Sequence, residues 1–283
     1  MSIPPLAPAS TVALIRPAAD GPEVFMVKRH TAVAVMAGAY VFPGGQLALA
    51  DGAGDLAALS DGVGGVRDRM DAVLDDEARA FHVAAVRELY EEAGILLARN
   101  RDGKPVGERA GDIVALDKGR DALAAGRPFV DIVRAERWRL ALDWLTLFAH
   151  WVTPDIEPRR FDVYFFLAVE PEAQDASHCG RETTIGTWMR PSEAIARCRD
   201  GQIALPPPTW TTLRQLEPFA SVDEAMAWAR STPVPRIKPG FGFQGTTRIV
   251  TLPGDPALAA VPGFSAKETR FALEDGRWHP IDP

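Results

Sequence analysis

The residues Arg87-Glu88-Leu89-Tyr90-Glu91-Glu92-Ala93-Gly94-Ile95 place three carboxylates on one side of a helix and then end it with a glycine. At 3.6 residues per turn, Glu88, Glu91 and Glu92 fall within an arc of about 100°. Carboxylates that close repel one another unless positive charge sits among them. Hard oxygen ligands of this kind suit Mg²⁺ or Mn²⁺, which keep waters and take phosphate oxygens as further ligands. Acidic residues at i, i+3 and i+4 are also common on solvated helix faces. Two features favour chemistry here: Arg87 begins the run, and Phe42-Pro43-Gly44-Gly45 follows a strand-like segment upstream.

These residues resemble the Nudix hydrolases, whose pattern is G-x5-E-x7-R-E-U-x-E-E-x-G-U with U aliphatic. Arg87 to Ile95 match its second half at every specified position, and Gly45 looks like its start. Counting back from Arg87, the motif glutamate falls on Arg79 and the motif glycine on Val73. The simplest account is an insertion over about residues 46–75. Arg87 then lacks its usual glutamate partner; Glu77, two positions out of register, is the nearest candidate. The branch similar to mammalian peroxisomal coenzyme A diphosphatases carries such an insertion. Its members share the long F-P-G-G lead-in and the Glu91-Glu92-Ala93-Gly94-Ile95-Leu96-Leu97 continuation. Trp151-Val152-Thr153-Pro154, Arg159-Arg160-Phe161-Asp162 and Pro207-Pro208-Thr209 look like the same branch.

The resemblance implies hydrolysis of a nucleoside diphosphate linked to another moiety. Coenzyme A or acyl-coenzyme A is the leading substrate. ADP-ribose, a nucleotide sugar or a dinucleoside polyphosphate is the alternative, and a non-catalytic nucleotide-binding module, favoured by Arg79, is the rival of another class. By resemblance, Glu88, Glu91, Glu92 and the Gly44 carbonyl are expected to hold the metal, with Glu91 or Glu92 alternatively binding a metal-ordered water. Arg87 is expected to orient these carboxylates. Glu182, just ahead of a predicted strand, is the candidate general base, with nearby His178 considered for its pKa alone. Lys28, Arg29 and Arg160, together with Gly45, are candidate substrate contacts, and Arg159 could also meet phosphate.

Composition bounds these readings. The chain has 283 residues, 47% hydrophobic and 24% charged, which is ample for a large core. A net charge of −7 argues against a general nucleic-acid binder, so an anionic substrate needs a local basic patch or a metal. Two cysteines, Cys179 and Cys198, are too few for a disulfide framework. No secretory signal or membrane span is evident, and a cytoplasmic protein is expected.

The elements that must position the site follow from periodicity and turn residues. Residues 9–16 and 23–29 predict a hairpin, 39–42 a short strand ended by Pro43-Gly44-Gly45, and 50–66 a surface excursion with room for a short helical turn. A helix starts near Asp75-Asp76-Glu77, buries Phe81, Ala85 and Leu89, and ends at Gly94. Further helices are predicted at 112–124, 131–145, 191–199, 213–216 and 222–230, and strands at 147–152, 162–169 and 183–189. The expected fold is an α/β/α sandwich with a mixed sheet over residues 1–230. A proline-rich connection at 231–240 then leads to a small β extension ending at 283, with strands at 247–252 and 269–273. That tail is too small to fold alone and is expected to pack on the main domain or on a second copy in a homodimer.

Overall fold

The structure is a computed structural model and describes all residues except 1–2, 31–35, 63–66, 71–73 and 179–182. Its centre is an eight-stranded mixed sheet. Six strands run in the order β10 (Thr183–Met189), β2 (Glu23–Arg29), β1 (Leu6–Arg16), β9 (Arg160–Val169), β8 (Thr146–Val152) and β11 (Arg236–Ile237). The short strands β3 (Tyr40–Val41) and β4 (Gly44–Gln46) pair with β2 and β1. The β1–β9 and β8–β11 pairs are parallel, and the other pairs are antiparallel. Val12, Ala13, Leu14 and Ile15 are all fully buried, so this central strand is covered on both faces. Alternation sends Val12 and Leu14 to one core and Ala13 and Ile15 to the other.

The first core packs against α2 (Asp75–Ala93). The second packs against α5 (Pro191–Arg199), α6 (Pro207–Leu216) and α7 (Val222–Ser231). This is the expected three-layer sandwich. Asp75, Asp76 and Glu77 occupy the first turn of α2, where they complement the helix dipole in place of a side-chain cap. Gly94 ends the helix in the left-handed conformation, φ 74°, with its N–H donating to the Tyr90 carbonyl. Ser10 Oγ donates to the Phe81 carbonyl at 2.7 Å and ties α2 to β1.

Three expectations need correction. The helix expected over 131–145 stops early: α4 is Phe129–Glu136, and α3 (Asp112–Ala124) precedes it. Arg137 turns left-handed at φ 57°, and the chain continues as β7 (Arg139–Ala141). The apolar spacing of Trp138, Leu142 and Leu145 reflects burial in a strand and turn. β7 forms a small second sheet with β5 (Ser60–Asp61) and β6 (Ala98–Arg99). The 50–66 segment is not only a surface excursion. Leu56, at the centre of α1 (Gly54–Ala58), joins Met70 in the first core. The helix expected at 213–216 begins earlier, at Pro207, with prolines at its first two positions where no N–H partner is lost.

The tail forms a four-stranded antiparallel sheet: β12 (Gly240–Gln244), β13 (Thr247–Thr251), β14 (Arg270–Glu274) and β15 (Arg277–Pro280). It packs on the main domain. Phe271 meets Trp210 edge-on at 6.4 Å, Phe264 meets Trp151 at 5.9 Å, and Glu268 accepts from both Trp210 Nε1 and Arg214 Nε at 3.2 Å. Among the described residues no helix is long and apolar enough to cross a membrane.

One buried group makes the fold sensitive to acid. His82 lies on α2 against the Phe166 ring at 4.6 Å, with Nδ1 2.8 Å from the Ala78 carbonyl oxygen. Burial lowers its pKa from 6.5 to about 4, although the Ala78 contact works the other way. As pH falls through this window the unfolded chain takes up a proton that the folded chain refuses. Stability is therefore expected to drop by about 3 kcal/mol between pH 6.5 and 4 from this group. Denaturant unfolding of His82→Leu across that range should show a shallower loss; an unchanged slope would refute the assignment.

Candidate active site

The site forms where β4 crosses the last turns of α2. Gly44 and Gly45 pair with Thr11 and Ser10 of β1. A Cβ at Gly44 would collide with the Ser10 carbonyl oxygen and the Thr11 backbone. A Cβ at Gly45 would sit 2.6 Å from the Glu88 carboxylate. The two glycines therefore serve different ends: one permits strand pairing, and the other lets a carboxylate rest on the strand. Gly45→Ala is expected to displace only the flexible end of Glu88 and leave the melting temperature nearly unchanged while lowering activity about tenfold or more. Gly44→Ala is expected to lower stability directly, because backbone must move. Paired melts and turnover assays check both; equal loss of stability in the two variants would contradict the distinction.

Arg87 organises the carboxylates. Its Nε and Nη2 donate to Asp51 Oδ1 and Oδ2 at 2.8 and 2.9 Å, a bidentate pair. Its Nη1 donates to Glu88 Oε1 at 2.7 Å and to Glu91 Oε1 at 3.0 Å, and Nη2 also reaches the Gln46 carbonyl at 3.0 Å. Asp51 lies in the 3₁₀ turn Leu49–Gly52, is 1% exposed, and also accepts from the Ala48 N–H at 2.8 Å. Burial alone would lower the Arg87 pKa, but Asp51, Glu88 and Glu91 outweigh it and hold the guanidinium above its ordinary value. Burial pushes the Glu88 carboxyl up to about 7; Arg87 pulls it down, and Glu91 adds to the rise. Glu92 is 4% exposed, and its Oε2 accepts from the Gly44 N–H at 3.0 Å. Glu91 is the most open of the three.

Asp51 is the partner of Arg87, and this corrects two expectations. Glu77 is exposed in the first turn of α2, and Arg79 pairs with Asp76 at 2.9 Å. The signal was present in the sequence: counting six positions forward from Gly45 lands on Asp51, where the family pattern has glutamate. The first half of the motif is thus continuous with an aspartate substitution, and the extra residues follow Asp51 rather than starting at 46.

Sequence reasoning also missed Arg120 of α3. No basic residue lies in the last turn of α2. Arg120 supplies that charge from outside, with Nε and Nη2 donating to the Glu91 and Glu92 carbonyls at 3.1 Å. Gly94 allows the approach, since a Cβ there would lie 2.9 Å from Arg120 Nη1.

A cleft of about 1440 Å³ opens from this cluster. Gly44, Gly45, Glu88, Glu91, Glu92, Arg29 and Arg159 line it. Lys28, on the opposite face of β2 from Arg29, does not. Arg160 is buried away from the cleft lining: it donates to the Pro4 carbonyl at 2.8 Å, to the Pro154 carbonyl and to Asp155. The exposed Arg159 lines the cleft instead, and among the described residues it has no ion pair. His178 is exposed. Glu182 and Cys179 lie outside the described residues, and Cys198 is buried.

The donor set fits a hard divalent cation in its chemistry. Glu88 and Glu92 adjoin the backbone of β4, Glu91 lines the same cleft, and Glu88 is buried enough that a cation would restore its charged form. Among the described residues, however, no three acidic, histidine or cysteine side chains converge on one point. Glu88 and Glu91 turn to Arg87, and Glu92 turns to Gly44, so the carboxylates would reorient to share a cation.

Comparison with known proteins agrees with this geometry. The family model described as the NUDT19 Nudix domain matches residues 6–216. A human protein named acyl-coenzyme A diphosphatase NUDT19 is 30% identical over 290 residues, covering 87% of this chain and 72% of that protein. Its Xenopus laevis namesake is 27% identical, covering 71% and 61%. A nudix relative from Caenorhabditis elegans is 30% identical over 194 residues, and this chain spans 55% of its length. A crystal structure of a Nudix hydrolase from Alicyclobacillus acidocaldarius superposes with a TM-score of 0.63 at 28% identity, covering 80% of this chain and 97% of that one. The Arg87–Ile95 helix, the glycine strand and the family match together place the chain in the Nudix hydrolase family, in the branch of the NUDT19 Nudix domain.

Proposed function

We propose that the chain hydrolyses the pyrophosphate bond of coenzyme A or an acyl-coenzyme A, giving a phosphopantetheine product and adenosine 3′,5′-bisphosphate. The observation that carries this reading is the Asp51–Arg87 pair holding Glu88 and Glu91, with Glu88 against Gly45, in the lining of a large cleft. The names of the human and Xenopus relatives supply the substrate class.

Glu88, Glu91, Glu92 and the Gly44 carbonyl are the groups that would hold Mg²⁺ or Mn²⁺. A bound divalent ion supplies charge neutralisation at the phosphate oxygens and lowers the pKa of an attacking water. Arg87 acts as a positioning residue: its guanidinium spans Asp51, Glu88 and Glu91 and fixes where two of the carboxylates stand. Arg29 and Arg159 provide positive charge along the cleft, where the phosphates of a substrate with three of them would lie. Glu182, ahead of β10, is the candidate general base by its place in the chain. The rival reading as a binding module rested on Arg79 at the motif carboxylate; Asp51 supplies that carboxylate and weakens it.

Turnover of coenzyme A, its analogue lacking the 3′-phosphate, ADP-ribose, NADH and a diadenosine polyphosphate, each with Mg²⁺, Mn²⁺ or chelator, tests the reading. Metal-dependent preference for coenzyme A compounds supports it. Preference for ADP-ribose or a dinucleotide would keep the chemistry and overturn the substrate.

A further inference from the structure

The cleft does not end with the family domain. Its far wall comes from the C-terminal sheet, which lies beyond the residues matched by the family model. Register places Phe243, Arg248, Leu273 and Trp278 in one row across β12 to β15. The adjoining row on the same face is Phe241, Val250, Phe271 and Pro280. Val250 and Phe271 of this second row are buried in the second core. In the first row, Arg248, Leu273 and Trp278 line the cleft. Phe243 ends that row at 64% exposure, its ring 5.3 Å from that of Phe241.

The chemistry of this wall differs from that of the carboxylate end. Arg248 is already paired with Glu157 and lies over the Phe241 ring at 5.1 Å, so its charge is partnered and its stem adds apolar surface. Arg277 donates to the Gly201 carbonyl. Leu273 and Trp278 face the same space as Phe161 and Val163 of β9. The cleft thus runs from three carboxylates at β4 to an apolar wall at the tail. Its volume of about 1440 Å³ exceeds the roughly 300–1,000 Å³ of ordinary small-molecule pockets. A compact nucleotide uses neither the length nor the apolar end.

We propose that the Leu273–Trp278 wall binds the acyl-thioester arm of the substrate and makes the enzyme select acyl-coenzyme A with longer chains. This rests on the coenzyme A reading above and adds to it a specificity element outside the family domain. The phosphates occupy the carboxylate end, and the acyl chain extends along the tail sheet, where each buried methylene adds affinity.

The test is the dependence of kcat/KM on acyl length, measured with free, acetyl-, butanoyl- and hexanoyl-coenzyme A. For the wild type, kcat/KM is expected to rise about tenfold or more from acetyl to hexanoyl. In Leu273→Asp and Trp278→Ala that ratio is expected to fall to within about twofold of unity, with the loss falling on KM, and Trp278→Phe is expected to restore most of it. The Trp278 pair keeps the test decisive if the aspartate variant does not fold. Equal losses for every acyl length, or an unaltered ratio in Trp278→Ala, would overturn the proposal. A wild type that cleaves all four compounds with no length dependence sinks this inference alone; one that cleaves none sinks the substrate reading beneath it as well.

Discussion

Replacing Asp51 by asparagine is expected to cut kcat/KM about 10- to 100-fold, although Asp51 is buried behind Arg87 and does not line the cleft. Its two oxygens hold Arg87 bidentately, and Arg87 in turn fixes Glu88 and Glu91. An asparagine accepts only one of those two bonds and turns an amide N–H toward a guanidinium. Stability should also fall, by about 3 kcal/mol, the low end for breaking a buried pair, because Arg87 keeps Glu88 and Glu91. Asp51→Glu restores the residue type of the family pattern and is expected to recover most of the activity. The readout that separates positioning from general damage is metal dependence. Asp51→Asn should need more Mg²⁺ or Mn²⁺ for half-maximal rate, whereas a purely structural defect would leave that concentration unchanged.

Glu92→Gln carries the other large effect. Glutamine keeps an oxygen to accept from the Gly44 N–H, and it fits the same buried space, so the fold should persist. What it removes is a formal charge at the point where a cation and phosphate oxygens are proposed to meet. A loss of about a thousandfold in kcat is expected, equal to ~4 kcal/mol in the barrier. Circular dichroism and a thermal melt establish the fold, and steady-state rates give the loss. Wild-type turnover in a folded Glu92→Gln would remove Glu92 from the metal site.

Local spacing made the carboxylate helix legible. Glu88, Glu91, Glu92 and Gly94 are related by helical geometry over seven residues, and no distant element is needed to see their common face. The glycines were legible as part of the site, since Gly44 and Gly45 follow a strand signal directly, but they read as a tight turn, whereas pairing with Thr11 and Ser10 of β1 makes them the strand β4. Asp51 was hidden by the direction of counting. Read backward from Arg87, the motif crosses inserted residues and lands on Arg79; read forward from Gly45, it crosses none. The 131–145 error has another cause. Ile132, Trp138, Leu142 and Leu145 are all buried, and burial alone mimics a helical period when a left-handed residue, Arg137, breaks the chain between them.

Pairs distant in sequence were the least visible. Arg120 reaches the end of α2 from another helix, and nothing in its own neighbourhood marks that role. Lys28 and Arg29 look alike as neighbours, yet strand alternation sends only Arg29 to the cleft. Arg160 looked available for phosphate, but two carbonyls and Asp155 consume it. In the tail, β13 and β14 were readable as β-branched and apolar runs. The Phe241-Gly242-Phe243 strand and the Arg277–Pro280 strand were not, because glycine and proline argue against strands unless neighbours supply the pairing.

The measurement that bears most directly on the central claim is product identification from coenzyme A incubated with the protein in oxygen-18 water. With Mg²⁺ or Mn²⁺ present, mass spectrometry should find adenosine 3′,5′-bisphosphate and 4′-phosphopantetheine in equal amounts, with one of the two carrying the heavy oxygen, and neither when chelator is added. Intact coenzyme A under all conditions, or cleavage that leaves the pyrophosphate bond whole, would contradict the account.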